Sequence, residues 1–262
     1  MITLYRTIIQ NTQILSCLCL CTPVLAFGAI PSSQEIDSMA NATLKEWDIP
    51  GMSIAVVHKG KDVKVAGYGV KQRGTTDVVN NETLFQIASL SKAFTASAIG
   101  TLVEQGKLQW EQPIKSFLPN FHLKDPVATE EITLRDLLSH RTGLPGTSKQ
   151  SWRLWFNTNR SSDELVRRLA NVDPAYPFRS HFSYNNVAYM IASKVAEQTS
   201  GTPWPTFCDQ KIFSPLGMSR THMSYDRLIH DQKAASPHLL RSMRERPIAP
   251  QNWESLSAAA GS

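Results

Sequence analysis

Residues 85–96 read FQIASLSKAFTA, and this stretch decides how the rest of the chain is interpreted. We predict that a long helix starts near Ser89 and ends at Gly106, because glycine commonly follows the last turn of a helix. Apolar residues lie on more than one face of this helix, which is typical of a helix buried within a domain. Ser89 and Lys92 are three residues apart and share one face. The pattern therefore predicts a buried helix that holds a hydroxyl and an amine side by side.

The Ser89–Lys92 pair is a candidate for nucleophilic catalysis. Serine is a weak nucleophile at neutral pH and needs a base nearby. A lysine can be that base when burial lowers its pKa, and the residues around Ser89 are mostly apolar. A position near a helix N-terminus also brings backbone N–H groups close to a developing oxyanion. The alternative is an ordinary helix with a surface lysine, because a chain of this length contains roughly one Ser-x-x-Lys pattern by chance.

A second candidate lies at Tyr184-Asn185-Asn186. The Tyr184 phenol, if it lies near Ser89, could accept or relay a proton, and the Asn186 amide could bind a substrate carbonyl. Asn185 or Asn186 would also be a good N-cap for the helix that follows, and both roles can hold at once. The chain has no G-x-S-x-G elbow, no H-E-x-x-H metal spacing and no phosphate loop.

The remaining pattern combines one hairpin with many helices. Two strands, Gly51–His58 and Lys61–Gly69, flank a tight turn at Lys59-Gly60. Few further strand candidates follow residue 70, and a two-stranded sheet is marginal alone. The predicted helices are Ser33–Trp47, Thr133–His140 with Thr133 as N-cap, one that starts at Ser161, Asn186–Thr199 and Trp204–Phe213.

Six stretches, in order along the chain, resemble the sequence blocks of the penicillin-recognising serine hydrolases. This superfamily comprises class C β-lactamases, related D-alanyl-D-alanine peptidases, esterases and D-amino-acid peptidases. The resemblance covers nearly all of residues 33–262. The stretches are Gly51–Val57, Phe85–Ala96, Glu104–Leu108 with Leu118-Pro119, Ile132–Pro145, Ser183–Asn186 and Ile212–Met218.

The resemblance implies an α+β fold, in which an antiparallel sheet is flanked by a helical subdomain. It also implies that Ser89 is acylated by a β-lactam, ester or D-amino-acid peptide, while Lys92 and Tyr184 share the proton transfers. Asn186 would bind substrate, and the Ser89 N–H would be one oxyanion donor. His140 is interpreted as structural. No cofactor and no metal are implied, and the expected partner is a small-molecule or peptide substrate.

The chain departs from the family pattern in one respect. Relatives carry Lys-Thr-Gly or His-x-Gly on a strand that lines the site, and no Lys-Thr-Gly or convincing His-x-Gly follows Tyr184 here. Residues 258–262 resemble a block from the middle of the domain. We therefore expect a C-terminally truncated domain that lacks a helix and several sheet strands and is poorly active alone. The alternative is an inactive relic or a protein that only binds a peptidoglycan-like ligand.

The first 29 residues are predicted to be a secretory signal peptide, with residues 30–262 as one hydrolase domain. Arg6 precedes the apolar stretch Ile14–Ala29, which ends in small residues suited to cleavage. We expect a periplasmic or secreted protein without a stable membrane anchor. A lipoprotein that uses Cys17, Cys19 or Cys21, and an uncleaved anchor, are the alternatives.

Composition excludes some other classes of protein. The apolar share is 42%, enough for a sizeable core. The net charge is +5, but the basic residues are scattered rather than gathered into the stripe that nucleic-acid binding requires. Cys208 is the one cysteine outside the predicted signal peptide, and its apolar neighbours predict a buried thiol without a catalytic role.

Overall fold

A computed structural model describes residues 30–146, 160–241, 244–250, 252 and 254–260. The predicted signal peptide lies outside the described residues. The helices of the described part are α1 Ser33–Glu46, α2 Ser91–Glu104, α3 Pro126–Glu131, α4 Leu134–Leu138, α5 Ser162–Arg168, α6 Asn186–Ser200, α7 Trp204–Cys208, α8 Tyr225–His230 and α9 Ser257–Ala260. The strands are β1 Gly51–His58, β2 Lys61–Gly69, β3 His238–Arg241 and β4 Arg244–Pro247.

The hairpin of β1 and β2 has the predicted bounds. The two strands pair antiparallel, with Gly51 opposite Gly69. Lys59 and Gly60 both have positive φ, 49° and 73°, as a two-residue hairpin turn of this kind requires. Helix α1 is tied to β2 through Asp37, which accepts hydrogen bonds from Tyr68 Oη and Lys64 Nζ.

A second hairpin, β3–β4, was not predicted. His238 lies opposite Pro247 in this antiparallel pair. Half of its residues are charged and its two leucines are adjacent, so the alternation of apolar and polar residues that signals a strand is missing. An isolated parallel bridge between Leu84 and Ala234 joins the chain before this hairpin to the segment that leads to Ser89.

The core is centred on α6. Ten of the fifteen residues of α6 are buried, and the helix ends at Gly201 with φ 68°. Helices α2, α4, α7 and α9 pack against it. Cys208 at the end of α7 is fully buried, and burial raises the pKa of its thiol well above the ordinary range. The predicted helix over Trp204–Phe213 is α7 followed by a π-helical turn.

The long helix begins two residues later than predicted. Helix α2 starts at Ser91, and a 3-10 turn over Ala88–Leu90 precedes it. Ala88 has φ 47°, a left-handed conformation that costs a non-glycine residue roughly 1–3 kcal/mol. Ser89 therefore lies on a strained turn rather than inside a regular helix.

The short helix α4 also ends earlier than predicted, at Leu138. Thr133 is its N-cap as expected, and with Asp136 it forms a capping box. His140 has φ 59° and so lies outside the helix.

Helices and antiparallel strands are together in one fold, which agrees with the predicted α+β class. Nowhere in the described ranges is a helix both long and apolar enough to cross a membrane.

Candidate active site

The Ser89 hydroxyl is the point at which the predicted site residues meet. Tyr184 Oη donates a hydrogen bond to Ser89 Oγ at 2.6 Å. Lys92 Nζ donates to the same oxygen at 3.1 Å. Ser89 is exposed in the middle of its turn, while Tyr184 is half-buried and Lys92 is buried. The structure thus brings a hydroxyl, a phenol and an amine within hydrogen-bond distance.

Lys92 makes three hydrogen bonds although only 8% of the residue is exposed. Besides Ser89, its Nζ donates to Asn186 Oδ1 at 2.7 Å and to the backbone oxygen of Ala259 at 2.6 Å. Burial lowers the pKa of Lys92, against an opposing effect of Tyr184. The lowered pKa makes the neutral amine, which can accept a proton, easier to reach than in water.

The Ala259 contact was missed by the sequence analysis. The acceptor is a main-chain oxygen, which every residue has, so no side-chain pattern could identify it. The preceding carbonyl of α9, that of Ala258, accepts a hydrogen bond from Thr95 Oγ1 at 2.6 Å. Two consecutive carbonyls of α9 therefore accept hydrogen bonds from Lys92 and Thr95, which lie one turn apart on one face of α2. These contacts fix Lys92 in place.

The start of α6 shows which of the two asparagines is the helix cap. Asn185 is the N-cap, since its Oδ1 accepts from the backbone N–H groups of Val187 and Ala188. Asn186 is the first residue of the helix, and its amide oxygen faces Lys92. The cap and the candidate site residue are thus adjacent but different.

His140 supports Tyr184 from behind. The ring centroids of His140 and Tyr184 are 4.5 Å apart, and His140 Nδ1 accepts the backbone N–H of Asn185 at 3.1 Å. Burial, and secondarily the charge of Lys92, lowers the pKa of His140 to about 4. The neutral ring with its proton on Nε2 fits these contacts, which agree with the structural role expected from the sequence.

The backbone at Ser89 offers one donor for a developing negative charge. The first N–H groups of a helical turn have no acceptor within the turn, and Ser89 occupies such a position. An oxyanion formed on a carbonyl attacked by Ser89 would lie near this N–H.

In the part of the chain that the structure describes, no group of three His, Cys, Asp or Glu side chains is placed to hold a metal ion.

A serine hydroxyl in contact with a phenol and an amine matches the arrangement expected of a serine acyl-transfer site. The family model described as "Beta-lactamase" matches residues 36–261. The chain belongs to the beta-lactamase family. This confirms the family resemblance, and with it the expected fold class. Membership agrees with the resemblance to serine hydrolases of the β-lactamase and penicillin-binding type.

The chain spans between 39% and 56% of the length of the relatives described below. An unguisins hydrolase of Aspergillus campestris is 34% identical over 214 residues, which are 80% of this chain and 39% of that protein. Penicillin-binding protein 4 of Amycolatopsis lactamdurans is 29% identical over 224 residues, 84% of this chain and 56% of that protein. The solved octameric penicillin-binding protein homologue from Pyrococcus abyssi matches with a TM-score of 0.74 and 25% identity, over 87% of this chain and 52% of that one.

Proposed function

We propose that the protein is an acyl-transfer serine hydrolase in which Ser89 is the nucleophile. The observation that carries the proposal is the pair of contacts at Ser89 Oγ, 2.6 Å from Tyr184 Oη and 3.1 Å from Lys92 Nζ. General acid–base groups act at such distances. Family membership supports the same conclusion. A shared fold alone would not define the chemistry, so the contacts at Ser89 carry the argument.

The proposed reaction has two halves. Ser89 Oγ attacks a carbonyl carbon, and its proton passes to Lys92 or Tyr184 as the new C–O bond forms. The oxyanion is stabilised by the Ser89 N–H, and the bond to the leaving nitrogen or oxygen breaks as that atom takes up the proton. Water then attacks the acyl-enzyme with the same groups as base, which releases the acid and restores Ser89.

We propose a β-lactam, a D-amino-acid peptide or an ester as the substrate, with Asn186 as a contributor to substrate binding. Two relatives support this range by their names, one a hydrolase and one a penicillin-binding protein. Asn186 Oδ1 is engaged by Lys92, which leaves its amide N–H₂ as the group to contact a substrate carbonyl. We also propose that the protein acts outside the cytoplasm, which N-terminal sequencing of the chain made in its native host would test.

Intact-mass spectrometry after exposure to a penicillin, and separately to a fluorophosphonate, tests the proposal. The wild-type chain should gain the mass of the acyl or phosphonyl group, and Ser89→Ala should gain none. Ser97→Ala is the matched control, because Ser97 is an exposed serine on the same helix α2. Lys92→Met and Tyr184→Phe should slow labelling by roughly 10²–10⁴-fold.

Which probe labels the chain separates the proposed substrates. Labelling by both probes would indicate β-lactam recognition, whereas labelling by the fluorophosphonate alone would favour an ester or peptide substrate. A folded wild-type chain that neither probe labels would overturn the proposal, and would favour the inactive or ligand-binding alternative.

A further inference from the structure

Asp136 is a fully buried carboxylate at the start of α4. It accepts five hydrogen bonds. Two come from the backbone N–H and Oγ1 of Thr133, at 3.0 and 2.8 Å. Arg141 Nε donates at 2.6 Å, and Arg179 donates through Nε at 3.1 Å and Nη2 at 2.9 Å. A capping box needs only the Thr133 contacts, so the two arginines call for a further explanation.

The two arginines belong to two separate segments, one that contacts Tyr184 through His140 and one that precedes Tyr184 in the chain. Arg141 lies in the turn that follows α4, and Arg179 lies five residues before Tyr184 in the chain. The segments touch directly, because the backbone N–H of Arg179 donates to the backbone oxygen of Arg141 at 3.1 Å. His140 and Arg179 both adopt positive φ, 59° and 63°, which non-glycine residues seldom do without support.

The turn after α4 holds the segment around Tyr184 on both sides. The N–H of Ser183 donates to the backbone oxygen of His140 at 2.8 Å, and the N–H of Asn185 donates to His140 Nδ1 at 3.1 Å. Between these two anchors, the Tyr184 ring packs on the His140 ring. A displacement of His140 is therefore passed to the Tyr184 hydroxyl through three short contacts.

We propose that Asp136 and Arg179 are a positioning pair for Tyr184, which they orient against Ser89 through His140. The inference rests on the proposed function, in which Tyr184 transfers a proton. Asp136 holds Arg179 directly and holds Arg141, the residue that follows His140, and so it fixes the segments that carry His140 and Tyr184. A misplacement of about 1 Å at a reacting group can cost roughly 100-fold in rate, and the 2.6 Å contact to Ser89 would then exceed hydrogen-bond distance.

Arg179→Gly is the variant that tests this role, because glycine keeps the left-handed backbone while it removes the guanidinium. Arg179→Lys retains the charge but not the two parallel hydrogen bonds to Asp136. Asp163→Asn is the matched control, since Asp163 pairs with Lys194 in a separate ion pair between α5 and α6. Thermal melting identifies the variants that fold, and Arg179→Lys replaces Arg179→Gly if the latter does not.

Two readouts are measured on each folded variant of the full chain. The first is the rate at which the fluorophosphonate labels Ser89. The second is the ¹³C signal of the Tyr184 ζ carbon in tyrosine-labelled protein, assigned by its loss in Tyr184→Phe. We expect Arg179→Gly to label roughly 10- to 100-fold more slowly and to shift the Tyr184 signal. Millimolar guanidinium should restore part of both, and Asp163→Asn should label within about twofold of the wild type.

An unchanged Tyr184 signal in folded Arg179→Gly would overturn the positioning role, whatever the labelling rate. A shifted signal with slower labelling that guanidinium reverses would support it, since general destabilisation is not relieved by guanidinium. If neither wild type nor variants are labelled, the proposed function fails. The carbon signal alone then decides the positioning of Tyr184.

Discussion

Replacement of His140 by asparagine tests how much the buried imidazole ring makes the stability of the protein depend on pH. Asparagine tolerates the left-handed backbone at φ 59°, and its Oδ1 can replace His140 Nδ1 as acceptor for the N–H of Asn185. The substitution therefore removes the imidazole with little change in local hydrogen bonding. At neutral pH we expect a less stable protein, because the packing of the ring against Tyr184 is lost.

The magnitude follows from the pKa of His140, which burial and the charge of Lys92 lower from the ordinary 6.5 to about 4. Since the pKa is lower in the folded state, the unfolded chain binds more protons once the pH falls below 6.5. Stability is therefore lost as the pH drops from 6.5 towards 4. Each pKa unit corresponds to about 1.4 kcal/mol, so His140 should cost the wild type ~2 kcal/mol at pH 5 and ~3 kcal/mol at pH 4.

Urea unfolding at pH 7.5 and at pH 5, for wild type and His140→Asn, measures this contribution. The free energy of unfolding should fall about 2 kcal/mol less in the variant than in the wild type between the two pH values. His230→Asn is the control, because 72% of the His230 side chain is exposed and its ring stays in water when the chain unfolds. Equal losses in wild type and His140→Asn would refute the assignment of a buried neutral ring.

Three further predictions concern the packing of the fold. Leu137→Ala should lower the free energy of unfolding by about 2–5 kcal/mol, because Leu137 is fully buried. In the same urea titration, Leu216→Ala at a 68% exposed site should change it by less than about 0.5 kcal/mol. Equal effects of the two substitutions would contradict the burial of Leu137 in the core. Gly143→Ala should lower the free energy of unfolding by more than about 1 kcal/mol, because φ is 78° and the new methyl would lie 2.7 Å from a backbone oxygen. Gly100→Ala inside α2 meets open space and should raise the free energy of unfolding by roughly 0.5–1 kcal/mol. Thermal melting measures both effects, and a Gly143→Ala variant more stable than the wild type would contradict the prediction. Cys208 should resist alkylation in the native chain and react after unfolding, as followed by peptide mass mapping; fast native labelling would contradict its burial.

Local rules predicted those parts of the fold that depend on neighbouring residues. The Lys59-Gly60 turn identified the first hairpin, since both positions must take positive φ. Thr133 was predicted as a helix cap because its hydroxyl can reach a backbone N–H three residues on. The Ser89–Lys92 spacing likewise placed two side chains on one face.

Features that depend on distant residues were beyond such rules. The left-handed Ala88, which moves the helix start past Ser89, has no sequence signature because alanine seldom adopts that conformation. The Ala259 carbonyl and the link from Asp136 to Arg179 join residues more than 40 positions apart. The β3–β4 hairpin lacks apolar alternation, so its backbone pairing rather than its side chains defines it.

The three hydrogen bonds of Lys92 have a consequence for how the chain folds. Their acceptors lie 3, 94 and 167 residues away in sequence. Contacts of long sequence separation require closure of large loops and tend to form late. Ser89 should therefore become reactive only after α2, α6 and α9 have come together. The rate at which a serine-directed probe labels a refolding chain would then report the last step of folding, because only molecules in which α2, α6 and α9 are already in contact would react.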